Sequence, residues 1–597
     1  MAPITHEKRG AHGAASSTHH LGTATAMAVL ARGGNAFDAA VAAGFVLQVV
    51  EPHLCGPGGE VPAVFVTAAD PRPRVLCGQG VAPARATAAA LRDDLGLEIV
   101  PGTGLLAATV PGAWDGWLTL LRDHGTMTLA DVLEPALGYA AGGFPLVPRV
   151  PLTIGAVADH FREHWPSSAQ TWLPGGAVPS STHRLPALAA TWQRLLAVAA
   201  AAGSDRVAQI DAARDAWYRG FVAEEIDAFC RTPVRDESGR DHAGLLTADD
   251  MAVWSATYEE ALTVDVGGGW SVAKVPAWSQ GPVLIQTLQL LRDADLLYTD
   301  GVATADTVHR AVEAAKLAFA DREAWYGDSA PVPLDELVSR DYAERRRALI
   351  GDTASLQLRP GTPGDRDPRL ASYATRLPAT DAGDATSTAM GTGEPTVDRE
   401  GVTRGDTVHV DVVDAAGNMV SATPSGGWLQ SSPTIPKLGF CLGTRAQMFW
   451  LEDGLPSTLT PGRRPRTTLS PSLALFDGEP RLAFGTPGGD QQDQWQLCFW
   501  LAHTVGGLDL QAAIDAPTWH SLSFPSSFAP RGWEPGGLVA ESRLGTANLD
   551  ELRRRGHVVT TAGAWSLGRM SAVGRGDGRL LRAAADTRSG VGSAVAF

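Results

Sequence analysis

An α/β fold follows from three features of this 597-residue sequence. Residues 23–31 carry an amphipathic helical pattern that stops at Gly33-Gly34, and a second helix rich in small residues starts at Asn35. Val408, Val410 and Val412 alternate with Thr407, His409 and Asp411, which is strand patterning. Ala415-Ala416-Gly417-Asn418 then turns the chain into a second strand running from Met419 to Thr423. Residues 283–292 return to helical periodicity, with Leu284, Leu288 and Leu291 on one face.

The other elements follow in chain order. The glycines of Cys55-Gly56-Pro57-Gly58-Gly59 let one backbone approach another, or a ligand, and lead into a strand over 61–67. No strand-GxxxxGK[ST]-helix pattern surrounds them, so they are not a phosphate loop. Helices are expected over 113–124 and 185–202, and Gly244 to Met251 reads as a turn into a helix N-cap. On the helix over 309–321, Glu313, Lys316 and Ala320 mark a partly solvated face, and His309 reads as a core or capping residue rather than a ligand. Residues 351–404 are rich in Gly, Pro, Asp and Thr and have no sustained period. A segment of that length is unusual inside a domain unless it is functional or flexible. No internal repeat appears.

Composition narrows the function classes. Hydrophobic residues make up 44% and charged residues 19%, an ordinary globular mixture. A formal net charge of −16 argues against a nucleic-acid partner, because no broad basic surface can neutralise phosphates. The five cysteines have neither zinc-type nor disulfide-type spacing and read as buried or incidental thiols of a reducing compartment. No run of about 18 apolar residues exists, so no membrane association is expected. The first fifteen residues lack an apolar secretory core, and a cytoplasmic location is the expectation.

The chemistry concentrates at the hairpin. Its length returns Ser425 to a place opposite Thr407, with both hydroxyls on one face if the register is symmetric. A threonine hydroxyl is a poor nucleophile without a base beside it. Cutting the chain just before Thr407 would free an α-amino group of pKa about 7.7–8.0, close enough to neutrality to take the hydroxyl proton.

Asp406-Thr407-Val408-His409-Val410-Asp411-Val412-Val413-Asp414, followed by Gly417-Asn418, resembles the processing site of the gamma-glutamyltransferases. These are N-terminal-nucleophile hydrolases that cleave themselves before this threonine. The likeness extends over nearly the whole chain: residues 30–43, the turn at 55–59, Val110-Pro111-Gly112-Ala113-Trp114, Gly462 to Pro471, Phe484-Gly485-Thr486-Pro487-Gly488-Gly489-Asp490, and 513–520. It implies a four-layer αββα sandwich built from both cleavage products: 1–406, whose segment 351–406 is flexible and ends at the Asp406–Thr407 cleavage site, and 407–597. It implies that Thr407 is the nucleophile, that Ser425 hydrogen-bonds it, and that the amides of Gly488 and Gly489 hold the oxyanion. It calls for no metal or cofactor. A small-molecule amide, the two fragments themselves and a possible second copy of the chain are the expected partners.

Six positions depart from the family pattern. Gln79 stands where the transferases carry an arginine for the substrate α-carboxylate, and Gln cannot form a bidentate ion pair. Thr467 and Thr468 replace paired serines that touch that carboxylate and keep the hydroxyls. Gly427, Arg445 and Met448 replace the groups that hold the substrate ammonium. Arg445 suits a carboxylate on the acyl group, or else forms an internal ion pair. The resulting expectation is an acylase-like amidohydrolase or acyltransferase, near cephalosporin acylase-like proteins and oxamate amidohydrolase, acting on glutaryl-like or dicarboxylic monoamides. A true gamma-glutamyltransferase or glutathione hydrolase, and an unprocessed non-catalytic scaffold, are the alternatives.

Overall fold

The computed structural model describes residues 6–376, 396–397, 403–404, 407–588 and 590–597. Among these, four two-stranded sheets and one three-stranded sheet form, and fourteen strands gather into two seven-stranded sheets. One runs in the order Ser593–Ala596, Gly13–Ser17, Val410–Asp414, Met419–Ala422, Val61–Thr67, Asp70–Gly78, Thr257–Glu260. The other runs Lys8–Gly10, Leu581–Ala585, Ser571–Arg575, Glu479–Gly485, Ser472–Phe476, Trp270–Lys274, Leu262–Gly267. Every neighbouring pair in both is antiparallel.

Alternation along each strand sorts the side chains into layers. Val408, Val410 and Val412 pack with the helices Ala36–Val50 and Ala113–His124 on the outer face of the first sheet. Val413 and Met419 point the other way and meet Leu473, Ala483 and Val573 of the second sheet. The outer face of that sheet is covered by the helices Pro282–Leu291, Ala305–Trp325 and Gln492–Thr504. The result is the four-layer αββα sandwich.

The helices fall close to the sequence reading. Asn35 accepts from the backbone N–H groups of Phe37 and Asp38, and Asp38 accepts from that of Asn35, a capping box that starts the small-residue helix. The helix expected at 309–321 is longer, Ala305–Trp325, and its expected solvated face is not solvated. Glu313 and Lys316 are buried and paired 2.5 Å apart, with Arg359 on the second carboxylate oxygen at 3.1 Å. Periodicity read these charges as a wet surface because it could not see residues 351–376 folding over them. Gly361 N–H donates to Asp321, and Pro363 is buried. Residues 377–395, 398–402 and 405–406 of the expected flexible segment, Asp406 included, lie outside the described residues. No described helix is long and apolar enough to cross a membrane, and all five cysteines are buried.

Candidate active site

The hairpin puts Thr407 and Ser425 face to face. Val410 pairs with Ala422 and Val412 with Val420, and this symmetric register carries on to a bridge between Thr407 and Ser425. Their hydroxyl oxygens are 3.1 Å apart and both residues are buried. Thr407, His409 and Asp411 share the face turned toward the second sheet. His409 bonds Asp411 and the Thr423 hydroxyl, each at 2.9 Å.

The glycine turn at 56–59 supplies the next layer. A Cβ on Gly58 would lie 2.1 Å from the Cys441 carbonyl, and one on Gly59 would lie 2.0 Å from the Ser425 carbonyl. Close approach of backbones is therefore what these glycines permit. The approach brings Glu60 beside Arg445. Arg445 Nε donates to Glu60 Oε1 at 2.7 Å, and Nη2 donates to Ser425 Oγ at 2.8 Å. The guanidinium also lies 5.1 Å from the Trp428 ring centroid and 3.9 Å from Met448 Sδ. Burial pushes the Glu60 carboxyl above its ordinary range while Arg445 pulls it back. The ion-pair alternative for Arg445 is thus formed, and the same arginine touches the hydroxyl next to Thr407.

Gly488-Gly489 leaves the second sheet just past Gly485. A Cβ on Gly485 would sit 2.2 Å from the His409 ring, so the strand end abuts the segment that begins at Thr407. Gly488 and Gly489 adopt φ of 131° and 53°. The Thr486 hydroxyl donates to the Pro487 carbonyl at 2.8 Å, and Gln491 N–H donates to the Gly488 carbonyl at 2.8 Å. In a trans peptide, fixing a carbonyl on one side fixes the following N–H on the other. Both glycine N–H directions are thereby set by the turn itself. Gln280 Nε2 donates to the Gly489 carbonyl at 3.2 Å, and the adjacent Asp490 accepts from Ser527 N–H at 2.8 Å and from Arg322.

Thr467 pairs with Ser279, and its carbonyl accepts from Gln280 N–H at 2.9 Å, so it shares Gln280 with Gly489. Thr468 Oγ1 is buried with no partner among the described residues. Gln79 is buried and donates to the neighbouring Gly80 carbonyl at 3.1 Å. Its turn touches the segment leading to Thr467, since Ala82 N–H donates to the Arg463 carbonyl at 2.9 Å.

Among the described residues one cluster has metal-ligand residue types. His309, Glu313 and His557 offer donor atoms within 4.8 Å of one another. Glu313 is already neutralised by Lys316 and Arg359, and His309 Nδ1 lies 2.9 Å from His557 Nε2. A dication would have to displace or oppose two cations, and the cluster reads as a buried ion pair.

A hydroxyl nucleophile at the head of a central strand of an αββα sandwich defines the class of N-terminal-nucleophile hydrolases. The gamma-glutamyltranspeptidase family model matches residues 22–596, and the chain belongs to that family. Among curated relatives, the acylase ACY 1 proenzyme of Pseudomonas sp. strain SE83 is 29% identical over 98% of this chain and 94% of its own length. The oxamate amidohydrolase proenzyme of Klebsiella pneumoniae is 30% identical over 97% of each. Among solved structures, two forms of LmbA2991 are 56% and 55% identical over 100% of both chains, with a TM-score of 0.93. Cephalosporin acylase from Bacillus halodurans is 25% identical over 100% of this chain and 98% of its own, with a TM-score of 0.82. The chain is accordingly a proenzyme-type amidohydrolase of this family.

Sequence reasoning missed Glu60, Gln280 and the Arg322–Asp490 pair. A carboxylate at the head of the otherwise apolar strand Val61–Thr67 was the available signal for Glu60. Gln280 and Arg322 sit in short motifs, Ser279-Gln280-Gly281-Pro282 and Asp321-Arg322, that carry no chemistry until the fold aims them at the Gly488-Gly489 turn.

Proposed function

We propose that this protein cuts itself before Thr407 and then hydrolyses, or transfers, the acyl group of an amide whose acyl part ends in a carboxylate. The observation that carries the reading is the Thr407–Ser425 hydroxyl pair with Arg445 donating to Ser425. In self-cleavage, Thr407 Oγ1 attacks the Asp406 carbonyl carbon, the peptide C–N bond breaks as an ester forms, and water releases the ester. In turnover, the freed amine takes the Thr407 hydroxyl proton and the oxygen attacks the substrate carbonyl. The Gly488 and Gly489 amides hold the resulting oxyanion. The proton then passes to the leaving amine, and water or a second amine resolves the acyl-threonine. Arg445 donation to Ser425 Oγ polarises that hydroxyl and favours a bond from Ser425 to the oxygen charging up on Thr407.

The substrate class rests on what the pocket lacks. Gly427 and Met448 offer no anion for a substrate ammonium, the nearby Glu60 carboxylate is paired with Arg445, and Gln79 offers no cation for an α-carboxylate. The name of the oxamate amidohydrolase relative agrees with an acyl group of that kind. Turnover of glutaryl-p-nitroanilide against gamma-glutamyl-p-nitroanilide tests it, and preference for the second compound would refute it. Thr407→Ala should run as one intact band on a denaturing gel, and intact-mass measurement should find the acyl adduct on the fragment beginning at Thr407.

A further inference from the structure

Arg531 sits in the loop 522–534, closed by Glu534 N–H donating to the Leu522 carbonyl at 2.9 Å. Its side chain is fully buried, 0% exposed. Nη2 donates to the Phe449 carbonyl at 2.8 Å and to the Gln447 carbonyl, and the guanidinium lies 4.0 Å from the Trp450 ring centroid. Nε and Nη1 have no partner among the described residues.

The charges around it do not cancel. Arg322 and Arg466 lie on the same buried cluster with Glu323 and Asp490. Glu323 is taken by Arg322 at 2.7 Å and Arg466 at 2.6 Å, and Asp490 by Arg322 and Ser527. Among the described residues three guanidiniums thus face two carboxylates, and Arg531 is the cation that no carboxylate pairs. Burial first, and Arg466 next, lower its pKa to about 9. A buried cation without an anion is expensive, and each unpartnered buried donor calls for an explanation. The backbone at Arg531 also has φ of 68°, a region costly for a side-chain-bearing residue and found where function imposes it.

A chain of packed side chains links this cation to Arg445. Phe528 packs with Trp428 and Met448, and Arg445 stacks on that same tryptophan. The carbonyls that Arg531 binds flank Met448, whose sulfur is 3.9 Å from Arg445. Arg445 itself is matched by Glu60. We infer that Arg531, rather than Arg445, receives the carboxylate of the acyl group, seated against the Met448 segment. The inference rests on the acyl-carboxylate reading above and names its binding residue.

The test uses the processed protein and glutarate as probe. Glutarate should raise the melting temperature saturably, and its diamide should not. Arg531→Gln should abolish the glutarate shift; persistence of the shift in that variant, or its absence in the wild type, overturns the proposal. If Arg531→Gln fails to fold, Arg531→Lys serves. It should raise KM for glutaryl-p-nitroanilide about 10- to 100-fold, as expected for a weakened charged hydrogen bond, with butyryl-p-nitroanilide unaffected. An equal loss on both substrates overturns it. The acyl adduct on Thr407 with the butyryl reagent reports on the catalytic reading independently of Arg531.

Discussion

Ser425 stands between the Arg445 guanidinium and the Thr407 hydroxyl, and under the proposed mechanism its value lies in the proton it can direct. Arg445 donates to its oxygen, and Thr407 Oγ1 lies 3.1 Å from the same oxygen, within reach of its hydrogen. Ser425→Ala should therefore lower kcat for acylation by about 10- to 100-fold with little change in KM, measured under single-turnover conditions. Glu60 has a different part. Glu60→Gln strips the anion from a buried arginine and should cost about 3–5 kcal/mol of stability in chemical denaturation. Glu60→Gln combined with Arg445→Met should cost less, because it removes both members of the pair. Of these residues, the sequence displayed Thr407, Ser425 and Arg445 through spacing and motif. It hid their mutual arrangement, because Glu60 is 385 positions from Arg445 and only the meeting of the turn at 56–59 with the hairpin joins them. Arg531 carried no signal: it lies in an aperiodic loop, and its meaning depends on a charge count across four distant segments.

Among the elements, the turn after Glu479–Gly485 has little room for a side chain. A Cβ at Gly488 would meet the Trp495 ring at 2.5 Å, in a backbone region that L side chains rarely adopt. Gly488→Ala should lower kcat by about 100-fold or more while substrate affinity is kept, read from kcat and KM separately. The hairpin itself was legible because alternation, a turn signal and a second alternating run fix a register without help from the rest of the chain. The helix Ala305–Trp325 was legible as a helix but not in its surroundings. Its charges look like a wet face until residues 351–376 fold over them and supply Arg359 and the Ser355 and Gly361 amides.

For the whole molecule, the sheet order has a consequence for maturation. The first sheet interleaves Gly13–Ser17 and Val61–Thr67 from before Thr407 with Val410–Asp414 and Met419–Ala422 from after it. The second likewise sets Trp270–Lys274 beside Ser472–Phe476. After scission the two polypeptides should co-elute in gel filtration and separate only under denaturant. Layered architecture was legible from the family likeness and not from periodicity, since no single strand announces which distant strand will lie beside it.

Neither product of the proposed scission owns a complete sheet. Scission should then follow assembly, performed by a shape that already exists. Two pieces synthesised separately would have to rebuild shared hydrogen-bond ladders from solution, a bimolecular search that the intact precursor never faces.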